Sequence, residues 1–514
     1  MNANGLQSLI FLRSVFLWAA ITVLVGCQSS PVYPDKPITT KLTAQAEWPL
    51  VQYVQADVEA HPEQTGVLPL ADGIDAFIAR LALVNAATAS IDLQYYIYRG
   101  DDTGRLLIWH LIEAADRGVR VRILLDDMAV KDADEALVML AEHDNIQVRL
   151  YNPSFERDFR NIAFVAGFSR LNHRMHNKSL TVDNTISVVG GRNIGNEYFS
   201  NDTDVEFGDF DLMAIGGAVD EVSQQFDLYW NAPLTVEINA LSSHSVTAED
   251  IADALEAVES EKADYQSNPY IARLLNSQLI SQMQNHSLHW FWGPAKLVYD
   301  LPDKQNHQSQ EDNILSDLGE YLELATDEVL IVSPYFVPTR IGTKSIVESA
   351  KSGIDITILT NSLAATDVLA VHAGYRQYRQ PLLEAGVKIY EVKANPKQKK
   401  NSSWSGSSKS SLHAKTFVTD RLSVFVGSFN FDPRSAWLNT EMGLIIDNQE
   451  LAAGVVDAIE ASLAKNTYRL GIERGEIVWF DDFSQRKVYT EPDAGLWRKF
   501  LVDCIALLPI ESQL

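Results

Sequence analysis

The feature that most constrains this chain is a short motif, His-x-Lys-x4-Asp, that occurs twice. Side chains alternate between the two faces of a strand, so the histidine and lysine of each copy point the same way. A lone histidine in a strand is usually a core residue with a satisfied partner, but the recurrence favours chemistry. Each copy presents two cationic groups to one surface; the copies are His176, Lys178 and Asp183, and His413, Lys415 and Asp420.

The similarity between the two halves extends well upstream of these motifs. Residues 91–98, 117–127 and 145–153 resemble, in order, residues 329–336, 352–362 and 386–396, and helix-like segments lie between them. Alternating strands and helices predict largely parallel sheets with helices on their faces. The chain is therefore expected to be an α/β protein of two duplicated domains, with mainly parallel central sheets flanked by helices.

The domain organisation follows from this repeat and from changes in composition. The tail carries an apolar stripe at helical spacing that predicts core packing, with membrane docking as the alternative; the stripe is Leu496, Phe500, Leu501, Cys504 and Leu508. The expected segments are a signal peptide (1–26), a linker (27–60), domain 1 (61–235), a helical insertion (236–310), domain 2 (311–469) and a C-terminal extension (470–514).

The N-terminus resembles a bacterial lipoprotein signal. Arg13 precedes an apolar run, residues 15–26, that ends at Cys27. The run is short of the ~20 apolar residues that a membrane span requires. Cys27 is therefore predicted to be lipidated and to anchor the chain in the cell envelope of a Gram-negative bacterium, and Gln28 favours the periplasmic face of the outer membrane. An uncleaved membrane anchor is the alternative.

Composition excludes several classes of protein. The formal net charge of −26 disfavours attraction to nucleic-acid phosphates, so no nucleic-acid partner is expected. Two cysteines, Cys27 and Cys504, cannot form a disulfide framework. No histidine, cysteine or carboxylate cluster has a convincing metal spacing, so neither a metal nor a cofactor is expected.

The paired motifs, each followed by a Gly-x-x-Asn sequence, resemble the phospholipase D superfamily. The stretches GGRNIGNEYF (190–199) and GSFNFDPRSAWLNTEMG (427–443) are similar to the bacterial cardiolipin synthases of the C type. This resemblance implies that the two domains form one active site at their interface, where one histidine attacks phosphorus and becomes a covalent phosphohistidine. It further implies His176 as the nucleophile and His413 as general acid and then base.

The remaining candidate residues take supporting roles. Lys178 and Lys415 are expected to neutralise a phosphodiester, together with Asn193, Asn430 and Ser428 as phosphate-binding groups. A carboxylate on its second nitrogen would orient each histidine. The candidates for this role are Asp211 and Glu441, with Asp209 as the alternative to Asp211. Asp183 and Asp420 belong to the catalytic motif, but each is expected to secure a turn or neighbouring backbone.

The favoured function is a phosphatidyltransferase that makes cardiolipin from phosphatidylglycerol and a second phospholipid. One alternative is a phospholipase D-type hydrolase that releases phosphatidic acid, because the same groups serve both reactions. Another is a non-catalytic envelope lipoprotein that binds lipid. A nuclease is disfavoured by the acidic chain. The expected partners are phospholipid substrates and a membrane surface, and an accessory protein is left open.

Overall fold

The structure is a computed structural model that describes residues 33–201, 207–242, 246–265, 268–306, 313–394 and 411–514. The predicted signal peptide and Cys27 lie outside this part of the chain. The strands of the first half are β1 (Thr65–Leu70), β2 (Ser90–Tyr95), β3 (Arg120–Asp126), β4 (Ile146–Tyr151), β5 (Ser179–Val182), β6 (Ile186–Gly190), β7 (Phe207–Gly208), β8 (Asp211–Gly216), β9 (Thr235–Glu237) and β10 (Phe291–Gly293).

The helices of the first half mostly connect these strands or cover the sheet they form. They are Pro49–Ala60, Gly73–Ala86, Asp102–Asp116, Asp134–Ala141, Arg160–Ala166, Phe168–Leu171, Gly217–Asn231, Ile238–Leu241, Ala248–Tyr265, Pro269–Leu275 and Gln278–Gln284.

The second half repeats this pattern and then extends it. Its strands are β11 (Ala295–Tyr299), β12 (Glu328–Val332), β13 (Asp355–Asn361), β14 (Lys388–Val392), β15 (Ser411–Leu412), β16 (Thr416–Thr419), β17 (Ser423–Gly427), β18 (Met442–Asp447), β19 (Thr467–Glu473), β20 (Glu476–Asp481) and β21 (Arg486–Val488). Its helices are Ile314–Glu323, Thr339–Lys351, Leu369–Tyr375, Arg379–Glu384, Pro433–Trp437, Gln449–Asn466 and Leu496–Ile505.

The strands form two large sheets of equivalent topology. The first sheet has the order β10-β1-β8-β6-β5-β2-β3-β4-β9, and the second has the order β11-β18-β17-β16-β12-β13-β14-β19-β20-β21. Helices flank both sheets, and the central order β8-β6-β5-β2-β3-β4 matches β18-β17-β16-β12-β13-β14. The duplicated α/β architecture is thereby confirmed.

The expectation that the sheets are mainly parallel needs correction. Among the described strands of the two large sheets, the parallel pairs are those of β2, β3 and β4 and of their counterparts β12, β13 and β14; the other pairs in these sheets are antiparallel. Helices cross between the parallel strands, whereas β5 and β6 are joined by a tight turn at Asp183 and Asn184, both at positive φ. Asp420 and Arg421 form the matching turn. Such a short connection permits only an antiparallel hairpin.

The two sheets share part of their hydrophobic core. Val67 of β1 and Leu212 of β8 belong to the same buried cluster as Val418 and Val424 of β16 and β17. Burial of apolar surface is the main favourable term in packing. The two halves are therefore held in a fixed arrangement, with the motifs facing their interface.

The segments outside the repeat are more ordered than their compositions indicated. The linker contains a helix, Pro49–Ala60, which buries Leu50 and Val54. The insertion is not wholly helical, because it contains β10 and β11, which join different sheets. The extension begins with strands of the second sheet, and the domain limits themselves stay predictions. Among the described helices, none has the length and apolar composition of a membrane span.

The C-terminal stripe was expected to pack into the core, and this expectation is wrong. Leu496 is 88% exposed and Phe500 is 54% exposed. Cys504 is exposed as well. Within the helix Leu496–Ile505, Val502 supplies the buried contact. Helical spacing indicates an apolar face but does not say what covers it.

Candidate active site

The two motif histidines precede equivalent strands, and each is held by the opposite half of the chain. The backbone N–H of His176 donates to the carbonyl of Thr440 at 2.8 Å, and that of His413 donates to the carbonyl of Gly208 at 2.8 Å. A parallel bridge joins Met175 to Thr440, and β7 pairs with β15. Two halves that exchange backbone bonds in this way place both motifs in one interface.

Each histidine also contacts a carboxylate that belongs to the other half of the chain. His176 Nδ1 lies 2.8 Å from Glu441 Oε2, and His413 Nδ1 lies 2.5 Å from Asp209 Oδ2. Each histidine side chain is 9% exposed, so only a small part of each ring reaches solvent. A carboxylate at Nδ1 fixes the ring orientation and leaves Nε2 for chemistry.

The choice of Asp211 as an orienting carboxylate was wrong. Asp211 Oδ2 accepts a hydrogen bond from Arg80 at 2.9 Å, and Asp211 Oδ1 accepts one from the backbone N–H of Arg192 at 3.1 Å. Asp211 begins β8 and pairs inside its own domain, whereas Asp209 precedes the strand and reaches the other half. The space for Asp209 exists because position 191 is glycine: a Cβ there would lie 2.1 Å from Asp209 Oδ1.

The lysines curl back onto the backbone of their own histidines. Lys178 Nζ donates to the carbonyl of His176 at 2.5 Å, and Lys415 Nζ donates to that of His413 at 2.5 Å. Lys415 Nζ also lies 2.9 and 3.1 Å from the two ring nitrogens of His413. Both ammonium groups are buried and lie beside the imidazoles, where a phosphodiester would need positive charge.

Ser428 does not have the free hydroxyl that was expected to bind phosphate. Its Oγ donates to Glu441 Oε2 at 2.5 Å and accepts from the backbone N–H of Met442 at 3.0 Å. It therefore fixes the carboxylate that contacts His176. Asn193 is also engaged, because its amide donates to the Tyr198 hydroxyl at 2.9 Å. The buried Oδ1 of Asn430 has no hydrogen-bond partner among the described residues.

The motif aspartates lie at the far ends of β5 and β16, away from the histidines. Asp183 accepts hydrogen bonds from the backbone of Ala89 and Ser90 at 2.8 Å, and from both the N–H and hydroxyl of Thr88 at 2.9 Å. Asp420 accepts the equivalent set from residues 326–328. The expectation that they secure backbone is confirmed, and their place in the catalytic set is corrected.

Several residues around the site carried no signal in the sequence. Asp300 Oδ2 accepts from the backbone N–H of Glu441 at 3.0 Å and from Lys304 Nζ at 2.8 Å. Lys304 also donates to two carbonyls, of Ser435 and Asn439, near Glu441. This buried pair supports the loop that delivers Glu441. Asp300 and Lys304 are four residues apart, which is a common spacing, so the sequence alone could not identify this pair.

Aromatic rings lie against both imidazoles. Tyr96 packs edge-on against His176 with the ring centroids 5.0 Å apart, and Tyr198 packs edge-on against His413 at 5.3 Å. Edge-to-face contact restricts rotation of the imidazole rings. Neither tyrosine is part of the repeated His-x-Lys-x4-Asp motif.

The electrostatic environments of the two histidines differ. Burial, followed by the charges of Lys178 and Lys415, lowers the pKa of His176 well below its ordinary value. Burial and Lys415 also lower the pKa of His413, against the opposing charge of Asp209. Lys415 thus acts on both rings. The two histidines lie in one electrostatic site.

The pKa values of the two carboxylates shift in opposite directions. Burial raises the pKa of Glu441 to about 7, despite the nearby charge of Lys178. Burial also opposes ionisation of Asp209, but the charges of His413 and Lys415 outweigh it and lower the pKa of Asp209. Burial lowers the pKa of Lys415 to about 8 and that of Lys178 well below its ordinary value. His413 therefore faces the stronger anion.

In the described ranges, no group of three or more His, Cys, Asp or Glu residues could hold a metal ion.

Comparison of the sequence with known proteins identifies its family. Residues 81–230 and 318–462 match the family described as "Cardiolipin synthase, PLD-like domain". The chain is 39% identical to "Cardiolipin synthase C" of Escherichia coli over 458 residues, which is 88% of this chain and 96% of that protein. It is 32% identical over 511 residues to an uncharacterized protein of Helicobacter pylori, with 98% of each chain covered.

A solved structure with similar topology is the phosphatidylserine synthase of Haemophilus influenzae. It aligns with a TM-score of 0.57 at 13% identity, covering 90% of this chain and 100% of that chain. At this identity the likeness concerns the fold alone. With both halves matched by one family and a relative aligned over nearly its whole length, the chain belongs to the phospholipase D superfamily and, within it, to the cardiolipin synthase family.

Proposed function

We propose that this protein is a phosphatidyltransferase that forms cardiolipin through a phosphohistidine at His176. The observation that carries the proposal is that each half supplies the carboxylate for the other half's histidine: Glu441 contacts His176, and Asp209 contacts His413. Both imidazoles are thereby oriented in one interface. The 39% identical relative from E. coli is a cardiolipin synthase. Phosphatidylglycerol is the acceptor in this scheme, and a second phospholipid donates the phosphatidyl group.

In the first step Nε2 of His176 attacks the phosphorus of the donor lipid. The phosphorus–oxygen bond to the departing alcohol breaks, and His413 gives that oxygen its proton. Lys178 and Lys415 offset the charge of the phosphate oxygens. Binding of this anion favours the charged form of both lysines, whose pKa values burial has lowered.

In the second step the reaction runs in reverse with a different alcohol. His413, now neutral, removes the proton from a hydroxyl of phosphatidylglycerol, and that oxygen attacks phosphorus. The phosphorus–nitrogen bond breaks and His176 is restored. One phosphodiester replaces another, so the overall exchange has little net driving force.

The unequal electrostatics favour His176 as the nucleophile. A nucleophilic imidazole needs an unprotonated Nε2, which its strongly lowered pKa supplies. Neutral His176 donates its Nδ1 proton to Glu441. His413 must become protonated to act as an acid, and ionised Asp209 stabilises that imidazolium.

We also propose that an acylated Cys27 anchors the protein in the cell envelope. A cell-envelope enzyme tethered through an acylated Cys27 would meet its lipid substrates at the membrane. Metabolic labelling with a radioactive fatty acid is expected to mark the protein, and Cys27→Ala is expected to abolish the label. Undiminished labelling of that variant would contradict the anchor.

Product analysis tests the activity. Purified protein is supplied with labelled phosphatidylglycerol, with and without phosphatidylethanolamine, and labelled cardiolipin is expected. Phosphatidic acid as the main product would identify a hydrolase instead. His176→Ala and His413→Ala should each lower transfer beyond the ~10²–10⁴-fold typical of acid–base help alone. His143→Ala, which removes a partly exposed histidine paired with Asp116, is the matched control.

A further inference from the structure

Two segments of the surface are rich in exposed apolar side chains. The first apolar arm runs from residue 155 to residue 168 and includes the short helix Arg160–Ala166. Its exposed members are Phe155, Phe159, Ile162, Val165 and Phe168, at 36–76% exposure. A cluster of exposed apolar side chains is typical of an interaction surface.

The second apolar arm is the C-terminal helix with the turn that follows it. Leu496, Trp497, Phe500, Leu507 and Leu508 are 54–88% exposed. Leu496 and Phe500 lie four residues apart, which places them on one side of the helix, and Leu507 and Leu508 follow its end. Trp497 stacks on Phe500 with centroids 5.5 Å apart.

Both arms lie at the end of the molecule that holds the histidines. The first arm leaves the end of β4 and leads directly to His176. The second arm is fixed to the loop after β13, because Arg498 donates to the carbonyl of Leu363 at 2.7 Å. Asp367 of the same loop contributes to the electrostatic environment of Lys415. The arms therefore flank the approach to the catalytic site.

The segments that follow the two arms are joined to each other. Asn172, which follows the first arm, donates to Gln513 near the C-terminus at 2.9 Å. Arg434 donates to both the side chain and the carbonyl of Asn172 at 3.0 Å. The chain that follows the first arm is thus held against the chain that follows the second arm.

The N-terminal end of the described chain reaches the same face. The ring of Tyr33 lies 5.8 Å from that of Phe155 in the first arm. The following residues are fastened to the first domain: Arg149 donates to the carbonyl of Pro37 at 2.8 Å, and Trp230 Nε1 donates to the hydroxyl of Thr39 at 2.8 Å. These contacts fix the position of residues 37–39 on the first domain.

The chain between the proposed lipid anchor and this point is short. Cys27 lies only six positions before Tyr33. Even fully extended, six residues span at most about 20 Å. An acyl chain on Cys27 would therefore hold the first arm close to the bilayer.

We propose that the two apolar arms form one membrane-docking face that inserts into a phospholipid bilayer and presents the active site to it. The inference deepens the proposed function by saying how a lipid phosphodiester reaches two buried histidines. The acyl chains stay among the bilayer lipids while the headgroup rises between the arms.

Charge supports a bilayer contact made by apolar groups rather than by attraction. The net charge of −26 gives no long-range attraction to anionic lipid. Within the first arm, Arg157 and Arg160 are both paired with Asp134, so they do not act as free cations. Insertion of aromatic and aliphatic side chains then supplies the binding energy.

The exposed Cys504 allows this face to be probed directly. The full-length protein is labelled at Cys504 with an environment-sensitive fluorophore and bound to vesicles of phosphatidylglycerol and phosphatidylethanolamine that carry brominated acyl chains. Quenching by the bromine is expected, and also for a label on Ile162→Cys in a Cys504→Ser background. A label on Leu422→Cys, an exposed apolar position at the far end of β16, is the control and should stay unquenched.

This fluorescence measurement does not depend on catalysis, so its failure is distinct from failure of the proposed activity. Equal quenching at all three positions, or at none, overturns the docking face. Shielding of the Cys504 label in lipid-free protein as its concentration rises would identify contact between copies of the chain and also overturn it.

An activity measurement complements the fluorescence. Ile162→Ser with Phe500→Ser should lower transfer on vesicles by at least about tenfold, because two large apolar side chains lose their contact with hydrocarbon. Transfer on short-chain phosphatidylglycerol below its micelle concentration should be unchanged, as should both activities of Leu422→Ser. Equal loss on both substrates would place these residues in folding or catalysis and contradict docking.

Discussion

Replacement of Asp209 by asparagine tests the division of labour between the two histidines. The carboxylate lies 2.5 Å from His413 Nδ1 and is buried, so it stabilises the imidazolium that protonates the leaving alcohol. A hydrogen bond to a charged group contributes about 1.5–3 kcal/mol. A unit charge pair near 4 Å contributes about 4 kcal/mol at an effective dielectric constant near 20.

The amide keeps the shape of the carboxylate but loses its charge. The loss of charge lowers the pKa of His413 and weakens the stabilisation of its imidazolium by about 3 kcal/mol. The rate of a step that needs the imidazolium then falls about 10²–10³-fold. The assay is phosphatidyl transfer from labelled phosphatidylglycerol, measured as initial rates at saturating lipid.

A change of leaving group separates this role from a general loss of structure. A phosphatidyl ester of p-nitrophenol releases an acidic alcohol that needs no proton from His413. Asp209→Asn should therefore release the first equivalent of p-nitrophenol at nearly the normal rate. An equally slow release from this substrate would refute the assignment of Asp209 and His413 to acid catalysis.

Asp211→Asn is the matched control for this substitution. Asp211 is buried and paired with Arg80 and Arg192. Breaking a buried ion pair costs about 3–5 kcal/mol of unfolding free energy. The variant should melt at a lower temperature, while the protein that remains folded retains most of its transfer rate.

Two further predictions concern stability and pH. Asp183→Ala should lower the melting temperature more than Asp420→Ala, because Asp183 is fully buried whereas Asp420 is only partly so; loss of activity at unchanged melting temperatures would return them to a catalytic role. The pH profile of kcat/KM should be bell-shaped. Glu441 takes up a proton below its pKa of about 7 and stops accepting from His176, and Lys415 loses its charge above its pKa of about 8. Lys415→Arg stays charged, so an alkaline limb that persists in this variant would contradict the assignment.

The sequence was sufficient to locate the duplicated fold because both signals are local and periodic. The repeated motif and the alternation of strands and helices fixed the two domains. Strand direction was less accessible, because the turns at Asp183 and Asp420 indicated hairpins but not which strands would flank them in the sheets. The expected parallel pairing holds for β2, β3 and β4 and for β12, β13 and β14, but not for the strands on either side of them.

The carboxylates show where sequence reasoning stops. Asp209 and Asp211 are two residues apart and equal in chemistry, and the choice depends on where β8 begins and on the space left by Gly191. In the second half the orienting carboxylate is the longer Glu441, which accepts a hydrogen bond from the Ser428 hydroxyl. Partners that cross between domains leave no spacing signal in the chain. Likewise, the spacing of the C-terminal stripe could not reveal that its face is uncovered.

The central claim is a covalent bond between phosphorus and His176. In the His413→Ala variant, the p-nitrophenol ester should undergo the first step and stop, because no base remains to activate the acceptor. Mass spectrometry of the digested protein should then locate a phosphatidyl group on the peptide that contains His176. The absence of this adduct, together with an adduct on His413 in the His176→Ala variant, would contradict the account.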